Sequence, residues 1–228
     1  MISRSETGTP ELPHLGPGAR CSTNDPSGAL LNSPVADWFS NSFPLGPSEP
    51  QLQGWPAIRA GGDVLIASPT GTGKTLTGFL MAIDNLCFSP AMPRQLDDQT
   101  RKATSIVYVS PLKALAVDVS ENLDRPLREI AQLAAEMGIN IPDIAVGVRT
   151  GDTTSKLRAA MVKSPPDILV TTPESLYLLL TSEKGRQTLT QVSTVIIDEI
   201  HALARDKRGS HLSLTLERLD SIQSGPRP

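Results

Sequence analysis

The chain has 228 residues, 39% of them hydrophobic, which fills the core of one domain of ordinary size and argues against two. A formal net charge of −3 excludes a polybasic protein that grips nucleic acid by bulk charge, so any such contact has to be local. Only Cys21 and Cys87 occur, and no apolar run approaches the roughly 20 residues of a membrane span; a disulfide frame and a spanning helix are both excluded, and a reduced, cytoplasmic protein is expected.

In chain order, residues 1–34 are dense in Pro, Gly, Ser and Thr without periodicity, and are expected to form a disordered leader. Residues 35–228 are expected to form one domain, opening on Trp38, Phe39 and Phe43 and a short helix over Gln51–Ala60. Apolar runs then alternate with helical patterns. Asp63–Ala67 precedes a helix from Lys74, Ser105–Val109 a helix from about Leu112, and Ile168–Val170 a helix at Pro173, with further strands over Ile144–Val148 and Thr194–Asp198. Short continuous apolar strands between helices predict an α/β fold, a mostly parallel sheet buried on both faces by crossover helices. Ligands of such sheets bind at the carboxyl ends of the strands.

After the first of these strands comes Ser68-Pro69-Thr70-Gly71-Thr72-Gly73-Lys74-Thr75, and then a helix face of Leu76, Phe79, Leu80 and Ile83. Gly71 and Gly73 can adopt positive φ and let the amides of Thr70–Thr75 wrap a polyphosphate at the positive end of the helix. Lys74 would reach the β- and γ-phosphates of ATP, and Thr75 would hold Mg²⁺. The general phosphate-loop pattern asks for a Gly where Ser68 stands, so only its second half is met. A Gly-rich turn capping a helix is the simpler alternative.

Thr194–Ile197 ends in Asp198-Glu199-Ile200-His201. One strand-tip carboxylate, Asp198, suits Mg²⁺, and Glu199 suits orienting and deprotonating a water. Alone, an Asp-Glu pair at a strand end also reads as a solvated helix start; with the Lys74 loop in one sheet, the catalytic reading takes precedence.

These segments together resemble the Walker A loop and DExH box of superfamily 2 helicases, and more precisely the large helicase-related proteins of bacteria and archaea, over about Val35–Leu219. Gln51 is similar to the Q-motif glutamine that reads adenine. Ser110–Ala116 resembles motif Ia, Arg149–Asp152 the glycine-containing motif that follows, and Thr171–Ser175 motif Ib. The resemblance implies the first, ATP-binding RecA-like domain of an ATP-dependent DNA helicase moving 3′ to 5′ and associated with DNA repair, with ATP and Mg²⁺ as cofactors. It implies single-stranded DNA or DNA/RNA duplex junctions as partners. Pro111, Lys113, Arg149, Thr150, Gly151, Thr171, Thr172, Pro173 and Glu174 would line the nucleic-acid path, with the Thr171 and Thr172 hydroxyls meeting a phosphate. His201 would couple the nucleotide site to the rest of the engine without touching ATP.

For Lys113, Arg149, Lys156 and Arg158 a solvated charge face is the simpler expectation. The resemblance also places a further strand, carrying motif III, between Asp63–Ala67 and Thr194–Asp198, and a second RecA-like domain with the arginine fingers; the chain is expected to stop before both. A nucleotide- and DNA-binding module without turnover, and a phosphate-loop ATPase unrelated to nucleic acid, are the competing functions.

Overall fold

The computed structural model describes residues 30–88 and 103–223. Its elements are α1 (Ser33–Ser42), α2 (Glu49–Arg59), α3 (Lys74–Phe88), β1 (Ile106–Val109), α4 (Lys113–Glu136), β2 (Val146–Arg149), α5 (Ser155–Lys163), β3 (Ile168–Thr171), α6 (Pro173–Thr181), α7 (Glu183–Thr188), β4 (Thr194–Ile197), a 3₁₀ turn (Ile200–Ala202) and α8 (Lys207–Ser221).

The four strands form one all-parallel sheet in the order β2-β3-β1-β4, so every strand-to-strand connection is a crossover. Alternate side chains leave on opposite faces. Ile106 and Tyr108 of β1, with Ile168 and Val170 of β3, pack into one core with Phe79, Leu80 and Ile83 of α3, Ile130 of α4 and Trp55 of α2. Val107, Val109 and Leu169 pack into the other with Leu176 of α6 and Leu212 and Leu219 of α8. The expected three-layer α/β architecture is therefore present.

Burial on both faces holds for β1 and β3, where all four residues of each strand are buried, but not for β2 and β4, which are half-buried throughout. The reason is position: β2 and β4 are the edges of the sheet. Asp63–Ala67 is a second departure, forming no strand among the described residues, with Leu65 77% exposed. An apolar run becomes a strand only when a neighbour takes up its N–H and C=O groups. Among the described residues β4 pairs with β1 alone.

The amino-terminal boundary also moves. Leu31 and Pro34, placed in the leader by composition, are buried. Asn32 donates from its backbone N–H and its side-chain amide to the buried Asp84 carboxylate, at 2.7 and 3.0 Å, and Arg59 reaches the same group at 3.2 Å. Burial pushes the Asp84 carboxyl above its usual range, against the opposing pull of Asn32 and Arg59. Composition missed this because one buried polar anchor in α3, distant in sequence, holds the segment down. Residues 1–29, Cys21 among them, lie outside the described residues. Among the described residues no helix is long and apolar enough to cross a membrane.

Candidate nucleotide site and nucleic-acid face

Gly71 and Gly73 both have positive φ, 80° and 87°, which lets the chain between Ser68 and α3 fold into a tight loop. The loop binds itself. Lys74 Nζ donates to the Ser68 and Pro69 carbonyls at 2.5 and 2.8 Å, and the Thr72 hydroxyl donates to the Pro69 carbonyl at 2.8 Å. The Lys74 ammonium is thus held by neutral carbonyls that an anion can replace with a stronger, charge-assisted bond. Thr70 is exposed, and Thr75 is half-buried in the first turn of α3.

Helix α2 braces the loop from behind. The Ser48 hydroxyl donates to the Thr72 carbonyl at 2.8 Å, and a Cβ on Gly73 would lie 3.1 Å from Gln51 Nε2. Gln51 is buried and its Oε1 accepts the Ser48 N–H at 2.8 Å, capping α2. The residue expected to read adenine therefore also caps its helix, with its acceptor oxygen engaged and its amide nitrogen close to Gly73.

At the tip of β4 the Asp198 N–H donates to the Val109 carbonyl at 3.0 Å, and Asp198 Oδ1 accepts the Glu199 N–H at 2.9 Å. Its Oδ2 accepts the Tyr108 hydroxyl. Tyr108 is fully buried, stacked on Phe79 at 4.9 Å, and burial followed by the nearby Asp198 and Glu199 charges pushes its hydroxyl far up, so it stays a donor. Sequence reasoning passed over Tyr108. The signal was a lone hydroxyl in an apolar strand, paired with Ile196, two residues before Asp198.

Glu199 is the one non-glycine residue of the described chain with positive φ, 47° with ψ 41°. A left-handed glutamate costs about 1–3 kcal/mol, and such strain clusters at working sites. His201 follows in the 3₁₀ turn with its side chain 79% exposed and Nδ1 3.2 Å from Glu199 Oε2.

The loops expected to meet nucleic acid are held by internal hydrogen bonds. Thr150, Thr171 and Thr172 are buried. The Thr171 hydroxyl donates to the Arg149 carbonyl at 2.7 Å, the Thr172 hydroxyl to Ser175 Oγ at 3.1 Å, and Thr150 Oγ1 accepts the Asp152 N–H at 3.3 Å. The Thr171 and Thr172 hydroxyls donate within the chain and shape the loops, whereas Thr150 Oγ1 accepts and keeps its own proton to donate. Pro111 and Pro173 are buried as well.

The cations divide. Lys113 reaches outward, paired with Asp152 at 2.6 Å and half exposed, next to Gly151. Arg149 turns toward Met161, Leu169 and Leu179, where burial and then the Arg158 charge push its guanidinium down. Arg158 is not a solvated charge: its Nη2 donates to the Thr150 and Gly151 carbonyls at 3.1 and 2.8 Å. Glu174 accepts from Arg208 Nε at 2.7 Å. Partial burial opposes its charge, but the Arg208 bond and the local hydrogen bonds outweigh this and hold its carboxyl below the usual range.

A glycine loop opening a helix that packs on a parallel sheet, and an acidic pair with a strained Glu199 at the carboxyl end of one strand of that sheet, mark a RecA-like phosphate-loop nucleotide-binding domain. The DEAD/DEAH box helicase family matches residues 48–227, and the chain belongs to that family. It is 49% identical over 202 residues to the Lhr helicase/probable uracil glycosylase of Mycolicibacterium smegmatis, an alignment covering 89% of this chain and 13% of that protein. With the ATP-dependent helicase Lhr-Core of Methanocaldococcus jannaschii it shares 48% over 193 residues, 85% of this chain and 22% of that protein.

The structure of Mycobacterium smegmatis helicase Lhr bound to ssDNA and AMP-PNP superposes with a TM-score of 0.79 at 48% identity, covering 89% of this chain and 24% of that one. Mss116p, at 19% identity and a TM-score of 0.68, shares the fold. The resemblance to the large helicase-related proteins is borne out, and the chain spans 13% to 22% of the length of these two curated relatives.

Proposed function

We propose that this chain is the ATP-binding half of an ATP-dependent DNA helicase acting in the cytoplasm. The observation that carries the reading is the packing of α3, which opens on Lys74, against β4, which ends at Asp198: a Cβ on Gly78 would lie 3.5 Å from Ile196 Cδ1, while Ser48 holds α2 to the glycine loop and Tyr108 orients Asp198. The residues fit ATP and Mg²⁺. Two positive-φ glycines let the Thr70–Thr75 amides face a polyphosphate, and the Lys74 ammonium is held only by exchangeable carbonyls. Thr75 and the half-buried Asp198 would hold Mg²⁺, which supplies neutralising charge at the β- and γ-phosphates. Glu199 would orient and deprotonate the attacking water, with His201 against its carboxylate as the coupling residue.

The backbone of single-stranded DNA, or of a duplex junction, would run over Lys113, Gly151 and Glu174, the exposed members of the three loops, while Pro111, Arg149, Thr150, Thr171, Thr172 and Pro173 hold those loops in shape. The Lhr structure bound to ssDNA and AMP-PNP supports both ligands. Turnover would need arginines of a second RecA-like domain, whose loss elsewhere costs about 10³–10⁵ in rate.

Fluorescent-nucleotide titration with Mg²⁺ tests the site. Lys74→Ala is expected to weaken binding at least tenfold, about 1.4 kcal/mol, whereas Glu199→Gln retains it and, in a chain joined to a second domain, abolishes hydrolysis. Equal loss of binding in both variants refutes the role of Glu199. DNA-stimulated multiple turnover by this chain alone refutes the need for a second domain.

A further inference from the structure

We propose that Arg208 is a positioning residue that couples the acidic end of β4 to the two loops that follow β1 and β3. The inference rests on the reading of those loops as nucleic-acid contacts. One guanidinium joins three segments distant in sequence. Arg208 Nε donates to Glu174 Oε1 at 2.7 Å, at the start of α6, and Nη2 donates to the Pro111 carbonyl at 2.8 Å, just before α4. Arg208 itself lies in the first turn of α8.

That first turn is rigidly tied to the turn carrying Glu199 and His201. Asp206 caps α8, its Oδ1 accepting the Arg208 and Gly209 N–H groups at 2.7 and 3.3 Å, while its own N–H donates to the Leu203 carbonyl at 3.3 Å. The Leu203 and Ala204 N–H groups in turn donate to the Ile200 carbonyl at 3.0 and 2.9 Å. Gly209 permits the contact: a Cβ there would lie 2.3 Å from the Leu203 carbonyl oxygen. A continuous run of hydrogen bonds therefore leads from the residue after Glu199 to the Arg208 fork, and any displacement of the Glu199 turn is carried to Pro111 and Glu174 together.

As a surface ion pair, Arg208–Glu174 contributes little to stability, since both side chains are substantially exposed. Its consequence is geometric. A planar fork sets the distance and the orientation between two loops, which a single ammonium does not do. The role is thus separable from charge, and it is thermodynamic coupling between two ligands, reciprocal by linkage.

The test measures binding of fluorescein-labelled oligo(dT) to the full chain, with and without AMP-PNP·Mg²⁺, in wild type, Arg208→Gln and Arg208→Lys. Nucleotide is expected to change wild-type DNA affinity by about fivefold or more. Both variants are expected to reduce that factor to about one while AMP-PNP affinity without DNA stays at the wild-type value. Restoration of the factor by Arg208→Lys would overturn the geometric role, leaving charge alone. An unchanged factor in both variants, or a wild-type factor of one, would overturn the coupling. No DNA binding by wild type would instead overturn the nucleic-acid reading, and this inference with it.

Discussion

Leu65 separates two accounts of the sheet. The run Asp63–Ala67 reads in sequence as a buried strand, and a Leu→Ala change in such a strand costs about 2–5 kcal/mol. In the structure Leu65 is 77% exposed and only about a quarter of its side-chain surface is out of water, so Leu65→Ala should cost about 0.5 kcal/mol or less. Leu169, 2% exposed in a strand paired on both sides, provides the internal standard, and Leu169→Ala should show the full core penalty of about 2–5 kcal/mol. Equilibrium urea unfolding of the whole chain, with the slope checked for constancy, reads both values. If Leu65→Ala costs as much as Leu169→Ala, then Asp63–Ala67 is a buried strand and the reasoning from the exposure of Leu65 fails.

Tyr108→Phe keeps the stack on Phe79 but removes the donor to Asp198; a hydrogen bond to a charged group is worth about 1.5–3 kcal/mol, and the Mg²⁺ dependence of nucleotide binding should weaken by about tenfold or more, with an unchanged Mg²⁺ titration ruling out the positioning role. Gly209→Ala forces a methyl group against the Leu203 backbone and should destabilise the chain by about 1–3 kcal/mol in thermal or urea unfolding; a neutral effect would mean that α8 does not approach the turn so closely. Burial raises the Asp84 carboxyl above the ordinary aspartate range, so the contribution of this shift to stability is fully present at pH below that range and is lost as pH rises through the folded value. Asp84→Asn, which cannot titrate, should flatten the unfolding free energy across that acid window, and an identical pH profile for the two proteins would show that burial does not raise the Asp84 carboxyl.

The α/β class, the phosphate loop and the acidic pair were legible in the residues themselves, because each depends on local chemistry. Apolar runs of four or five residues make strands, glycines at 71 and 73 supply positive φ, and a strand-tip Asp-Glu carries its own charge. Motif spacing likewise named the three loops that face the proposed nucleic-acid path. What those loops do with their atoms was decided elsewhere in the chain. The Thr171 hydroxyl is used by Arg149 of the neighbouring strand, Asp198 is oriented by Tyr108 from β1, and Arg208 reaches back to Pro111 and Glu174, pairings separated by 22, 90, 97 and 34 residues. Asp63–Ala67 failed to become a strand for the same reason. A strand's hydrogen bonds belong to its neighbours, and a side chain's burial belongs to whatever packs over it, so neither is written in the segment itself.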